Sequence, residues 1–384
     1  MNAKDQVIAD NFYHTVDMFI KLLGAEQVSN TDIFFRISRS DIGTNIDYSE
    51  IKRIIKEINS FFGWYDAWAG SAKKFLEIAK EAEQENHFIT AGENYLRAAL
   101  LYHFAQLFTR PEDPLRKEGQ KRRVELYKKA CPFVIPIIKP VTIPCYEVNM
   151  PGYLRYPVIK SKSYPVIILL PGANSVKEEL HNWAYEFSKR GIVTLTFDGP
   201  GQGEISYKND GVPLSLEKYP TAVSAAIDFL SEYADIDQSR IVVWGQSTGG
   251  HLAMRSAAFD KRIGAVVSLG GGYDFRLEIT STTPADVWEE ARDLYGFSSF
   301  EEVELYVREY GSMKNIINKV TCPLLLIHGA QDNIVSMDEI EQLKDESSGH
   351  TEILVFDDGN HSVCNRNLEM QSKMADWVLD HINK

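Results

Sequence analysis

The feature that most limits how this chain can fold is an alternation of short apolar runs and helical patterns after residue 140. The apolar runs include VIILL at 166–170, IVTLTFD at 192–198 and PLLLIHGA at 323–330. Short, continuously apolar strands separated by helices are typical of a parallel sheet covered on both faces. We therefore predict an α/β fold with a mostly parallel, doubly wound sheet. Its ligands should bind beyond the carboxyl ends of the strands.

The N-terminal third has a different pattern. Stretches such as YSEIKRIIKEINSFF at 48–62 space their apolar residues three and four positions apart, which predicts helices. Prolines then recur every fourth position from Pro132 to Pro144, and proline disfavours helix both at its own position and before it. We predict an all-helical domain over residues 1–135 and an α/β domain over residues 136–384. A basic stretch at 116–129 is expected to be a helix with a solvated face.

Composition excludes several classes of partner. The net charge of −13 arises entirely after residue 140, because residues 1–140 hold 20 Lys and Arg against 19 Asp and Glu, so nucleic acid is not an expected partner. The apolar runs are far shorter than the roughly 20 residues of a membrane helix, and the N-terminus lacks a secretory pattern. The four cysteines are widely spaced, so we expect no metal site, no membrane association and a cytoplasmic location with reduced thiols. These residues are Cys131, Cys145, Cys322 and Cys364.

The stretch VVWGQSTGG at 242–250 carries the clearest chemical signal. Ser247 lies between Gly245 and Gly249, after an apolar strand and before a predicted helix. A nucleophilic serine requires this strand–turn–helix context, because side chains at the flanking positions would collide with neighbouring backbone. Ser247 is thus a candidate nucleophile. The alternative is a tight turn that contains a serine without using it.

A serine nucleophile needs a base, and two later residues fit that need. Asp332 and His361 each follow a predicted strand, in the chain order serine, aspartate, histidine. We expect His361 to take the proton of Ser247 and Asp332 to orient the imidazole. The competing candidates nearby are His328, Asp357 and Asp358.

Negative charge that develops on a substrate carbonyl would need backbone donors. We expect the N–H groups of Thr248, directly after the nucleophile, and of Ala173, in the loop after the strand at 164–170. Gly172 is the next candidate donor and an expected contact for the substrate.

These motifs, with FDGPGQGE at 197–204, resemble the α/β-hydrolase superfamily over about residues 141–384. LPGANSVKEEL at 170–180 and the helical N-terminal domain narrow the resemblance to one group. It contains 2,6-dihydroxypseudooxynicotine hydrolase, FrsA-like esterases and polyketide-shortening hydrolases. The resemblance implies cleavage of an ester, an amide or a carbon–carbon bond beside a ketone, without a cofactor. It also implies a homodimer through the N-terminal domain.

The same resemblance suggests an auxiliary carboxylate. The matching position is Glu178, with Glu179 as an alternative, although Glu178 could instead favour the start of a helix. Residues 274–318 interrupt the strand–helix rhythm and predict a helical lid over Ser247. Candidates for lining an apolar cavity under this lid are Tyr273, Phe275, Trp288 and Tyr295.

The function predicted from the sequence is that of a serine hydrolase acting on a small carbonyl substrate. Two alternatives stay open: acyl transfer or cyclisation by the same three residues, and a ligand-binding protein that keeps the fold without turnover.

Overall fold

A computed structural model describes residues 1–28, 46–146, 148–206, 212–278 and 283–382. Among the described helices, none has the combined length and apolar character that a membrane crossing requires.

The described N-terminal region is helical, as predicted. Its helices are α1 (Ala3–Leu23), α2 (Ala25–Val28), α3 (Tyr48–Glu57), α4 (Trp64–Gln84), α5 (Phe88–Gln106) and α6 (Pro114–Ala130). Side chains of Asn2, Asp47 and Asp113 accept hydrogen bonds from the first turns of α1, α3 and α6, which satisfies N–H groups that have no partner within the helix. The predicted domain boundary falls in the segment between α6 and the first strand.

The remainder of the chain builds a mostly parallel sheet. Its strands are β1 (Ile138–Cys145), β2 (Val148–Arg155), β3 (Tyr164–Leu170), β4 (Val193–Phe197), β5 (Ile236–Gln246), β6 (Ile263–Leu269), β7 (Leu324–Gly329) and β8 (Thr351–Phe356). Their order in the sheet is β1-β2-β4-β3-β5-β6-β7-β8. Strand β2 pairs antiparallel with β1 and β4, and the later pairs are parallel. The predicted, mostly parallel sheet is confirmed.

Helices cover both faces of this sheet. They are α7 (His181–Ser188), α8 (Gly203–Ser206), α9 (Tyr219–Ser231), α10 (Thr248–Phe259), α14 (Met337–Glu346) and α15 (Asn367–Ile382). Successive residues of β5 alternate between two cores: Ile241 and Val243 belong to one, Val242 and Trp244 to the other. This period of two is why a central parallel strand must be apolar at every position.

The insertion between β6 and β7 is helical in its described part. It carries α11 (Phe275–Glu278), α12 (Ala285–Tyr295) and α13 (Phe300–Tyr310), while residues 279–282 lie outside the described residues. Helix α1 holds this insertion in place: the Tyr13 hydroxyl donates to Glu289 at 2.6 Å, and Asp5 accepts from the Phe300 N–H at 2.9 Å. The N-terminal domain therefore contacts the insertion that borders the candidate site.

Candidate active site

Ser247 occupies the turn between β5 and α10 in a strained conformation, with φ of 54° and ψ of −123°. The flanking glycines are required by space as well as by the turn. A Cβ on Gly245 would lie 1.9 Å from the Gly249 carbonyl oxygen, and one on Gly249 would lie 2.4 Å from the Leu170 carbonyl oxygen. The GxSxG spacing thus follows from how closely β3, the turn and α10 approach one another.

The structure brings Ser247, Asp332 and His361 into contact. His361 Nε2 lies 2.9 Å from Ser247 Oγ, and His361 Nδ1 lies 2.8 Å from Asp332 Oδ2. All three residues stand at the carboxyl edge of the sheet, after β5, β7 and β8 respectively. This arrangement can activate an alcohol, because the imidazole accepts the serine proton while the carboxylate fixes its tautomer.

Asp332 is held as a carboxylate by its surroundings. Burial raises its pKa, but the charge and hydrogen bond of His361 outweigh burial, so the pKa lies below its usual range. Its other oxygen accepts from the N–H groups of Ile334 and Val335 at 2.8 and 3.0 Å. A carboxylate held by two backbone N–H groups in this way can orient the imidazole through the Nδ1 contact.

The competing candidates lie outside this chain of contacts. His328 Nδ1 is 3.9 Å from Asp332 Oδ2, too far for a hydrogen bond, and burial lowers the pKa of this imidazole. Asp358 forms an ion pair with Arg366 on the surface, and Asp357 is also exposed. Neither aspartate contacts His361 among the hydrogen bonds of the described residues.

A cavity of about 150 Å³ opens beside Ser247 and His361. Gly172, Ala173 and Thr248 all line it. Thr248 is the first residue of α10, so its N–H has no partner within the helix. The approach of the loop is close, since a Cβ on Gly172 would lie 3.2 Å from the Gln246 carbonyl oxygen.

The aromatic candidates divide into two pairs. Phe275 and Tyr295 line the cavity, whereas its described lining contains neither Tyr273 nor Trp288. The Tyr273 hydroxyl points to Glu346, at 2.8 Å, and Trp288 stacks on Phe300 with ring centroids 5.5 Å apart. Helical spacing shows that such residues share a face, but it does not show whether that face meets a cavity or the next helix.

Glu178 and Glu179 also lie outside the described lining of this cavity. Glu178 is fully buried between Tyr153, Lys177 and Arg123, with Oε2 3.1 Å from Arg123 Nε. Burial raises its pKa, but the charges of Lys177 and Arg123 outweigh burial and lower it. Glu179 contacts His103 Nε2 at 3.0 Å. The structure therefore places both carboxylates at the junction with the N-terminal domain rather than beside Ser247.

Sequence reasoning missed a contact between the loop after β3 and the insertion. Asn174 Nδ2 donates to Glu290 Oε2 at 3.0 Å, and both residues line the cavity. The spacing of 116 positions leaves no local pattern that could have indicated this pair. The only available signal was that Asn174 lies directly beside the expected oxyanion donor.

Comparison with known proteins identifies the family of this chain. The sequence model of FrsA-like esterases matches residues 1–278, and that of the prolyl oligopeptidase family matches residues 179–384. The chain belongs to the FrsA-like esterase family. The predicted resemblance is confirmed.

Individual relatives place this FrsA-like protein among the α/β-hydrolases. The 2,6-dihydropseudooxynicotine hydrolase of Paenarthrobacter nicotinovorans is 31% identical over 319 residues, covering 83% of this chain and 84% of the relative. The 20-hydroxy-prefusarin hydrolase FUS2 of Gibberella moniliformis is 32% identical over 235 residues, covering 56% of this chain and 54% of that protein.

Solved structures show the same relationship. The crystal structure of the 2,6-dihydroxy-pseudo-oxynicotine hydrolase is 30% identical and has a TM-score of 0.80, covering 90% of this chain and 95% of that chain. AbyA5 shares the fold at 18% identity, with a TM-score of 0.68 over 88% of this chain and 95% of its own. The FrsA-like protein is therefore an α/β-hydrolase enzyme, related to esterases and to carbon–carbon bond hydrolases.

Proposed function

We propose that this FrsA-like protein is a serine hydrolase that cleaves an ester, an amide or a ketone carbon–carbon bond in a small substrate. The observation that carries the proposal is the unbroken contact from Ser247 through His361 to Asp332, at 2.9 and 2.8 Å. Distances in this range allow proton transfer and carboxylate orientation without rearrangement.

The proposed reaction begins when Ser247 Oγ attacks the substrate carbonyl and its proton passes to His361 Nε2. The tetrahedral oxyanion accepts hydrogen bonds from the N–H groups of Ala173 and Thr248. Collapse breaks the bond to the leaving group, and His361 returns the proton to the leaving oxygen, nitrogen or carbon. Water then repeats the sequence on the acyl-enzyme and releases an acid.

The cavity restricts the substrate. A volume of about 150 Å³ matches that of an engineered apolar cavity that takes up benzene. Phe275 and Tyr295 contribute aromatic surface to its wall. We therefore infer a substrate whose part near the scissile carbonyl is about the size of one aromatic ring or a short branched chain. The lid role of the insertion, the homodimer and the cytoplasmic location remain predictions.

A fluorophosphonate probe tests the proposal directly, because it reacts with activated serines. We expect covalent labelling at Ser247, located by peptide mass mapping, with no labelling of Ser247→Ala and weak labelling of His361→Ala. The matched control is Ser256→Ala, which removes a buried hydroxyl on the same helix; among the described residues, this hydroxyl donates to the Leu252 carbonyl. This control should label like the wild type.

Product analysis separates the alternatives. Release of acid in water indicates hydrolysis, whereas products that incorporate an added alcohol or amine in preference to water indicate acyl transfer. Absence of labelling in a folded protein would contradict the proposal and favour a ligand-binding role.

A further inference from the structure

A second, smaller cavity lies beside the first, where the N-terminal domain, the loop after β3 and helix α12 meet. We call it the side chamber; its volume is about 40 Å³. Its polar lining includes Gln106, Arg116, Gln120, Asn174, Ser175 and Glu290. Asn174, Ser175 and Glu290 also line the Ser247 cavity, so these three side chains stand between the two spaces.

Two buried polar atoms of the side chamber have no hydrogen-bond partner among the described residues. They are Gln106 Oε1 and Ser175 Oγ. Both residues are at least nine-tenths buried, with 4% of each exposed. Buried polar atoms without partners are rare, because leaving them unpaired costs free energy. These two atoms therefore point to a group that hydrogen-bonds within the chamber.

The orientation of the Gln106 amide follows from its neighbours. Its Nε2 lies 3.5 Å from His103 Nδ1, and His103 Nε2 lies 3.0 Å from Glu179 Oε2. With Nε2 directed to His103, Oε1 is the amide atom left without a hydrogen-bond partner among the described residues.

The backbone also holds Gln106 in place. Helices α5 and α6 pack so closely that a Cβ on Gly119 would lie 2.9 Å from Gln106 Cβ. Gln106 is the last residue of α5, and the Thr109 N–H and hydroxyl both bond to its carbonyl. The amide is therefore presented on a rigid corner rather than on a mobile loop.

Charges around the side chamber favour a neutral ligand group. Arg116 donates to the Thr109 carbonyl at 3.0 Å and lies 3.8 Å from Asp293, which also lines the chamber. A cation would face Arg116, and an anion would face Asp293 and Glu290. Since Gln106 Oε1 needs a donor and a serine hydroxyl can donate or accept, a hydroxyl group satisfies both.

We propose that the side chamber binds a hydroxyl group on the substrate of Ser247, with Gln106 Oε1 and Ser175 Oγ as its hydrogen-bond partners. This inference rests on the proposed function. The volume suits it: about 40 Å³ holds a few water-sized groups but no second ring, since one water needs roughly 10–15 Å³. The substrate class is therefore a hydroxylated acyl compound with its ring or branched body in the Ser247 cavity.

The test uses p-nitrophenyl benzoate and its 2-, 3- and 4-hydroxy derivatives as substrates. The readout is the ratio of kcat/KM for the best hydroxylated ester to kcat/KM for the unsubstituted ester. Intrinsic electronic effects of the hydroxyl group are the same in every variant, so a change in this ratio reports binding of that group. We expect Gln106→Met and Ser175→Ala each to lower the ratio about tenfold, the effect of one lost hydrogen bond.

The matched control is Gln371→Met, which alters an equally buried glutamine on α15 that lines neither cavity. Its ratio should equal that of the wild type. Each ratio is measured within one variant, so a fraction of misfolded protein does not change it. If Gln106→Met does not fold, Ser175→Ala still tests the proposal.

Equal ratios in the wild type and both variants would overturn the side-chamber proposal. So would rejection of all four benzoates by an enzyme that hydrolyses p-nitrophenyl butyrate. An unreactive Ser247, shown by no fluorophosphonate labelling and no ester hydrolysis, would instead overturn the proposed function itself.

Discussion

The edge of the sheet that carries Ser247 and the junction between the two domains both bring polar side chains together, but they are built differently. At the Ser247 edge, three residues far apart in sequence each follow a strand, so the topology brings them together. At the junction, charged side chains from α6, the loop after β3, the turn after β4 and helix α8 meet. We call these residues the junction cluster: Arg123, Lys177, Glu178, Asp198 and Glu204.

The junction cluster is organised around one ammonium group. Lys177 Nζ lies 2.6 Å from Asp198, 2.9 Å from Glu178 and 3.2 Å from Glu204. Burial lowers the pKa of Lys177, but the three carboxylates outweigh burial and raise it. Asp198 also accepts from the Lys177 N–H at 2.9 Å, which ties the end of β4 to the loop that carries Ala173. Under the proposed function, the Ser247 edge performs the chemistry and the junction cluster positions a loop.

Removing Ser247 should have the largest effect on turnover and almost none on folding. Ser247→Ala is expected to lower kcat for p-nitrophenyl butyrate by roughly a million-fold, because proton transfer then has no nucleophile to activate. Its melting temperature should stay near that of the wild type or rise, since the strained turn loses only a hydroxyl. Circular dichroism and initial rates measure the two quantities. If Ser247→Ala kept its turnover, the proposed catalytic role of the Ser247 edge would be contradicted.

Asp332→Asn tests the orienting role at the same edge. We expect a loss of roughly 10⁴-fold in kcat, because an amide in place of the carboxylate favours the wrong tautomer of His361. Rates are measured across pH on p-nitrophenyl butyrate. The control is His328→Gln, which changes a neighbouring buried side chain outside the contact chain and should cost far less. Similar losses in both variants would contradict the assignment of Asp332.

The sequence predicted the Ser247 edge better than the junction cluster, for a physical reason. Strand ends carry local signals, so Ser247, Asp332 and His361 could be named from apolar runs followed by turns. The junction cluster has no such signal. The basic stretch at 116–129 was predicted as a helix with a solvated face; helix α6 is confirmed, yet Arg123 within it is fully buried. Burial of that guanidinium depends on carboxylates of another domain, which no helical period reveals.

Tyr273 and Trp288 also show that contacts between distant segments could not be predicted from the sequence. Their aromatic character favours a buried location, and both pack in the protein, but the partners are Glu346 and Phe300 rather than the cavity. The fold class, the strands and the serine, aspartate and histidine could be predicted. Which neighbour a given helix face meets could not, because packing between non-adjacent segments decides it.

Glu178→Gln should affect folding rather than chemistry. Replacing this carboxylate leaves Arg123 and Lys177 buried with less compensation, which costs about 3 kcal/mol in the free energy of unfolding at neutral pH. The charges of Lys177 and Arg123 lower the pKa of Glu178 in the folded chain, so its contribution to stability is fully present at neutral pH and is lost as the pH falls through that lowered pKa. Denaturant melts between pH 7 and pH 3 measure this difference.

The gap in stability between the wild type and Glu178→Gln should therefore narrow in acid. The double variant Arg123→Met with Glu178→Gln should lose less than the sum of the two single variants, because the two side chains contact each other. A constant gap across pH, or strict additivity, would show that the junction cluster does not act as a unit.

The smallest expected effect distinguishes the two pairs of aromatic residues. Tyr273→Phe removes one hydrogen bond, to Glu346, so we expect a loss of about 1 kcal/mol in stability and no change in KM. Phe275→Leu changes the cavity wall and the ring that stacks on His251 at 4.3 Å, so KM for p-nitrophenyl benzoate should rise several-fold. A shift in KM with Tyr273→Phe but not with Phe275→Leu would contradict the assignment of Phe275, rather than Tyr273, to the cavity wall.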